Sequence, residues 1–169
     1  MTLKIREPGS AITHFIAMLL ALFSAAPLLV RTSLRSGSTS LAAMSVFICS
    51  MILLYGASTL YHSVNASGKI IRIFKKLDHM MIFILIAGTY TPVCLITLKG
   101  PVGFLLLAAV WGIALTGIII KACWISCPKW FSSALYISMG WICLSVFGTL
   151  WKLLPHAAFF WLLAGGIIY

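Results

Sequence analysis

Residues 80–98 read MMIFILIAGTYTPVCLITL, residues 102–120 read VGFLLLAAVWGIALTGIII, and only Lys99-Gly100-Pro101 stands between them. Each run has 19 residues and no Lys, Arg, Asp or Glu. Wound as α-helix, such a run is roughly 28 Å long, which matches the hydrocarbon core of a bilayer. Apolar residues surround both helices, so a one-sided stripe is not the signal. Nor do the residues alternate as barrel strands do. Gly100-Pro101 supplies a tight turn and sets Pro in the first turn of the next helix. Two membrane-spanning helices in a hairpin are predicted here.

The same reading extends in both directions. Apolar runs at 11–30, 41–61 and 133–151 are also of bilayer length, and a shorter one covers 157–169. The expected fold is therefore all-α integral membrane, a single transmembrane domain over 1–169. It is a seven-helix-type bundle, with five full helices and a partial sixth present. The 13 residues of 157–169 reach only about 20 Å, and the chain stops inside an apolar run, so we expect C-terminal truncation. The first run is too long for the core of a signal peptide, and Pro27 follows its one small-residue site, Ser24-Ala25-Ala26. Pro27 is expected to kink the first helix near its end.

Composition agrees. The 169 residues are 62% hydrophobic and 8% charged, against about 25% charged in soluble proteins. Only two acids occur, Glu7 and Asp78. These values exclude a soluble enzyme and a disordered chain. Five cysteines, an odd number lying in or beside apolar runs, exclude a disulfide scaffold. The net charge of +10 does not indicate nucleic acid, because the basic residues sit between the apolar runs. Membrane lipids are the expected partners. Eight basic residues (Lys4, Arg6, Lys69, Arg72, Lys75, Lys76, Lys121, Lys129) fall on one side and four (Arg31, Arg35, Lys99, Lys152) on the other. The expected location is the cell inner membrane, as a multi-pass protein, and that bias places its N-terminus in the cytoplasm. The basic, amphipathic stretch 69–76 is a topology determinant that also suits anionic headgroups.

Ionisable groups near lipid are expensive and mark function. Ser58 and His62 are four apart and share a helix face. His62 is expected to end the second helix and Asp78 to begin the third, so a reversal of the chain brings them to one membrane edge. An imidazole and a carboxylate there suit Zn²⁺ or a metal-bound water. The alternative is a plain hydrogen bond at a helix hairpin, with Asp78 as N-cap. Glu7-Pro8-Gly9-Ser10 precedes the first helix, with Ser10 a candidate cap and His14 one turn inside. Both Glu7 and His14 are candidates for the same site. His79, about 100° around the helix from Asp78, reads as a rim histidine, and His156 as a solvated one. Cys123 and Cys127 give a weak metal signal and read better as small apolar residues. In Gly88-Thr89-Tyr90-Thr91-Pro92 the threonines can bond back to the backbone and Pro92 frees a carbonyl, which reads as a kink with close packing. Ala108 and Gly112 form a second small-residue packing pair.

Together, Glu7-Pro8-Gly9-Ser10 with Thr13-His14, Ser58-Thr59-Leu60-Tyr61-His62, Leu77-Asp78-His79 and Ile86-Ala87-Gly88-Thr89-Tyr90-Thr91-Pro92 resemble the hemolysin III branch of the progestin and adipoQ receptor (PAQR) family. The resemblance covers the whole chain in order. It implies seven helices, a cytoplasmic N-terminus and a Zn²⁺ site near the cytoplasmic face. In that site His62 is a ligand, Asp78 holds a metal-bound water, and Ser58 lies one turn before the ligand. The remaining ligands it implies are two histidines in an H-x3-H motif on the seventh membrane helix, a motif absent from this sequence. The chemistry it suggests is zinc-assisted hydrolysis of a lipid amide, with Asp78 as base and Ser58 bonding the oxyanion. Membrane damage of the hemolysin kind and a non-catalytic, receptor-like role are the alternatives. No charged pore-lining stripe occurs in the spans.

Overall fold

The first four helices run past the apolar spans that seed them, whereas the span 133–151 changes pitch at Ile142–Val146. The computed structural model describes residues 5–124, 126 and 128–168, without the side chain at 129. Lys4 and Cys127 lie outside the described residues. Helix α1 runs Pro8–Arg35, α2 Ser38–Ser63, α3 Gly68–Pro92 and α4 Gly100–Cys123. Then follow α5 Lys129–Trp141, α6 Phe147–Leu153 and α7 His156–Ile168. A six-residue π turn, Val93–Leu98, extends α3, and a 3₁₀ turn, Ile142–Val146, joins α5 to α6. Among the described residues, five helical segments are long and apolar enough to cross a membrane, and α7 is shorter. No strand occurs among the described residues. The chain is an all-α integral membrane bundle.

The stretch 62–77, expected as a loop, is mostly helix. Only Val64–Ser67 is non-helical, and α3 starts at Gly68 with Ser67 as N-cap. No Pro or Gly interrupts 69–87, so the basic segment propagates directly into the apolar one. Asp78 therefore lies ten residues inside α3 and is not its N-cap. At the first helix, Glu7 is the N-cap and Pro8 the first residue, which puts Ser10 inside the first turn and His14 nearly two turns in. Helix α1 continues through Pro27 to Arg35.

The core is built around α3 and α4. Phe83, Ile86, Ala87 and Tyr90 meet Leu106, Val110 and Ala114, with Met139, Leu150 and Phe159 closing one side. Three glycines permit close approaches, one of them Gly103 against the Cys94 carbonyl. A Cβ at Gly88 collides with Ser50 of α2, and one at Gly117 collides with the Phe83 ring. The expected Ala108/Gly112 pair does not pack; both are exposed, and a Cβ at Gly112 meets nothing. The buried stripe of α4 runs instead through Gly103, Leu106, Val110, Ala114 and Gly117. An all-apolar helix gives no sequence signal of which face turns inward.

The threonine hydroxyls of the core are satisfied within their own helix, and Tyr90 and Trp111 are satisfied across helices. Thr89 Oγ1 donates to Ile86 O at 2.7 Å and Thr91 Oγ1 to Ala87 O at 2.9 Å, while Trp111 Nε1 donates to Thr91 Oγ1 at 3.2 Å. Directly after Pro92 the helix widens into the π turn, and Lys99 N donates to Cys94 O at 3.1 Å to close it. The Tyr90 hydroxyl reaches the carbonyls of Met139 and Gly140 at 2.8 and 2.9 Å and accepts from Cys143 N at 2.9 Å. It thereby supports the α5–α6 junction, where the helical ladder changes pitch.

Candidate functional site

The start of α1, the end of α2 and the start of α3 lie at one end of the bundle. Glu7 N donates to His62 O at 3.0 Å, which fastens the N-terminal segment across the last turn of α2. The side chains follow. His62 Nδ1 lies 2.7 Å from Glu7 Oε2. Arg6 Nε is 3.3 Å from Glu7 Oε1, and the Arg6 guanidinium sits 4.1 Å above the Tyr61 ring. His14 stacks on His62 with centroids 5.6 Å apart and planes at 10°, and also neighbours Tyr55 at 6.0 Å. The structure thus brings Glu7, His14 and His62 into one cluster.

Ser58 sits one turn deeper on α2 and is only 4% exposed. Asp78 is 8% exposed on α3. The Gly88–Ser50 approach sets the register of this hairpin. Counting from it, Ser58, Asp78 and His62 lie roughly 12, 15 and 18 Å along their helices. Asp78 is thus axially between the other two. No hydrogen bond or ion pair joins it to either one among the described residues. Its ionic neighbour is His79, whose Nδ1 is 3.9 Å from Asp78 Oδ2. The His79 ring turns back to its own helix, with Nδ1 2.7 Å from Lys75 O, and His79 O accepts from the Tyr136 hydroxyl at 3.2 Å. Beside it, Lys76 Nζ donates to Ala122 O, and buried Lys121 Nζ donates to Ser132 Oγ. The reach of these lysines to α4 and α5 was not visible in the sequence; no spacing rule links residue 76 to 122.

At the other end, His156 is exposed and stacks on Trp151 at 4.7 Å. Cys123 is a free, exposed thiol.

The fit to Zn²⁺ is incomplete. Among the described residues no three His, Cys, Asp or Glu side chains converge on one point. His62 offers one imidazole whose second nitrogen is not engaged by Glu7, and Asp78 offers a carboxylate on the neighbouring helix. A catalytic zinc takes three protein ligands.

Comparison with known proteins assigns the chain. A family model described as "Haemolysin-III related" matches residues 3–169. The chain belongs to the hemolysin III family. It is 41% identical over 163 residues to Hemolysin-3 of Bacillus cereus, covering 96% of this chain and 74% of that protein. It is 38% identical over 163 residues to the Hemolysin-3 homolog of Bacillus subtilis strain 168, covering 96% and 76%. No solved structure matches.

Proposed function

We propose that this hemolysin III family protein is a multi-pass inner-membrane hydrolase of a lipid amide, working at the cytoplasmic edge with its N-terminus in the cytoplasm. One observation carries the reading. Both acids of the chain and three of its four histidines gather at one end of the bundle, and Asp78 and Ser58 are both buried there on neighbouring helices. A buried carboxylate in a membrane helix is expensive to keep. Amide hydrolysis needs a base for the attacking water and a donor for the developing oxyanion. Asp78 is the base and Ser58 Oγ the donor. The shared edge gives a lipid headgroup access while its chains remain in the bilayer.

Zinc is the proposed cofactor, with His62 as the ligand this sequence supplies and Asp78 acting through water. When bound it polarises a carbonyl and activates water. No step is assigned to it here, because one imidazole does not make a ligand set. This chain is accordingly expected to hold little zinc after chelation. One tightly held Zn²⁺ per chain, unaffected by His62→Ala, overturns the ligand assignment.

The test is release of free fatty acid from an N-acyl lipid amide in vesicles, with zinc supplied in the buffer. Release by the reconstituted protein, lost in Asp78→Asn, supports the proposal. A rate equal to empty vesicles, or an unchanged rate in Asp78→Asn, refutes it. Topology is tested by a cysteine placed at Gly68 in spheroplasts: labelling by an impermeant reagent from outside contradicts a cytoplasmic N-terminus. Membrane damage is the second reading, favoured by the names of both Bacillus relatives. It expects dye leakage from vesicles that Asp78→Asn leaves intact.

A further inference from the structure

Glu7 occupies the N-cap position of α1, yet its side chain makes no capping bond to the free N–H groups of that helix. It reaches across to α2 instead, 2.7 Å from His62 Nδ1. An ionised carboxylate only accepts hydrogen bonds, and a neutral imidazole has one donor and one acceptor nitrogen. For a neutral imidazole, an acceptor at Nδ1 puts the hydrogen there and leaves the Nε2 lone pair unused by Glu7. An imidazole without such a partner favours hydrogen on Nε2, the opposite arrangement.

The carboxylate is itself fixed. Its backbone N–H is bound to His62 O, its Oε1 faces Arg6, and Arg6 rests on Tyr61. The His62 ring is fixed from the other face by the stacked His14. Glu7 is 48% exposed and holds His62 from the water side, so Nε2 is the nitrogen left for chemistry.

We propose that Glu7 is a positioning residue that locks His62 as the Nδ1–H tautomer and so selects Nε2 as the reactive nitrogen of the site. The inference rests on reading His62 as a site residue; it does not require hydrolysis or zinc to be correct. A carboxylate in this relation to a histidine is how ligand and base imidazoles are generally oriented.

The experiment is ¹⁵N NMR of the histidine-labelled, metal-free protein in lipid nanodiscs, with the His62 signals assigned by their loss in His62→Ala. We expect a protonated Nδ1 and an unprotonated Nε2 in the wild type. Glu7→Ala is expected to invert the pair. Glu7→Gln, whose carbonyl still accepts, is expected to retain the wild-type pattern. The signals of His79 and His156 should not move. If Glu7→Ala does not fold, Glu7→Asp, one methylene too short to reach, makes the same test. An Nε2–H tautomer in the wild type, or an unchanged tautomer in Glu7→Ala and Glu7→Asp, overturns the proposal. Lipid-amide hydrolysis by the wild type, measured separately with zinc supplied, distinguishes the two readings: no hydrolysis by the wild type together with a tautomer that inverts in Glu7→Ala removes the enzyme and keeps the positioning role.

Discussion

Two histidine–carboxylate pairs stand at the same end of this bundle, and they are built in opposite ways. Glu7 and His62 are 55 residues apart and in contact at 2.7 Å. Asp78 and His79 are adjacent and 3.9 Å apart. Consecutive residues on a helix diverge by about 100°, so Asp78 enters the bundle while His79 turns back to Lys75 O. The hairpin of α1 and α2, in contrast, returns the chain to the same level and makes a pair between helices. Adjacency along a helix separates two side chains; the fold joins two that are distant. A pair between helices can position a reactive group, while a pair along one helix mainly satisfies the helix.

The hydrolase reading sharpens this contrast first, with the largest effect. Asp78→Asn removes the proposed base and is expected to lower lipid-amide hydrolysis by about 10²–10⁴-fold. His79→Ala removes a ring held by its own helix and should leave the rate unchanged. Fatty-acid release from vesicles measures both. Equal losses in the two variants break the comparison, because they make the adjacent pair act as a unit.

The next effect is on packing. Gly88 sets the level of α3 against α2, and a side chain there meets Ser50. Gly88→Leu overfills that contact and is expected to destabilise the protein by about 1–3 kcal/mol, read from unfolding in detergent. The disturbance falls between α2 and α3, so it shifts Asp78 relative to Ser58. The Glu7–His62 contact belongs to α1 and α2 and should persist, with the His62 tautomer unchanged. A lost tautomer preference in Gly88→Leu shows that the two pairs are not independent.

The membrane class and the five spans were legible because uninterrupted apolar length is a strong, one-dimensional signal. The back-bonding of Thr89 and Thr91 was legible too, since it is decided within one helical turn. The helix ends were less so. The stretch 62–77 reads as a charged loop, yet charge does not stop a helix, and nothing in 69–77 does. The inward face of α4 was not legible, because apolar residues surround it. Ala108 and Gly112 looked like the packing pair, whereas Gly103 against the Cys94 carbonyl and Gly117 against Phe83 are the close approaches. Of the site, Ser58, His62, Glu7 and His14 were each singled out by residue type. The contact of Glu7 with His62 was not, because it depends on how the chain crosses the last turn of α2.

The smallest effect concerns Arg6, the support that the Glu7–His62 pair has and the Asp78–His79 pair lacks. Its Nε lies 3.3 Å from Glu7 Oε1 as an ion pair, but Nε and Nη2 are buried without a hydrogen-bond partner among the described residues. Directional bonding therefore does not hold the guanidinium. The Tyr61 face, 4.1 Å away, does. A cation over an aromatic face contributes about 0.5–1 kcal/mol at a partly exposed site. Tyr61→Leu keeps apolar bulk and removes the ring's negative face, so it should destabilise by about that amount. Arg6→Met keeps the stem and removes the charge. A double-mutant cycle between the two isolates their coupling, measured by unfolding in detergent. Coupling near zero means that Tyr61 does not hold the guanidinium. Glu7 is then steadied by its backbone bond to His62 O and by an Arg6 that no ring holds in place, and the two pairs differ less in their support than their geometry suggests.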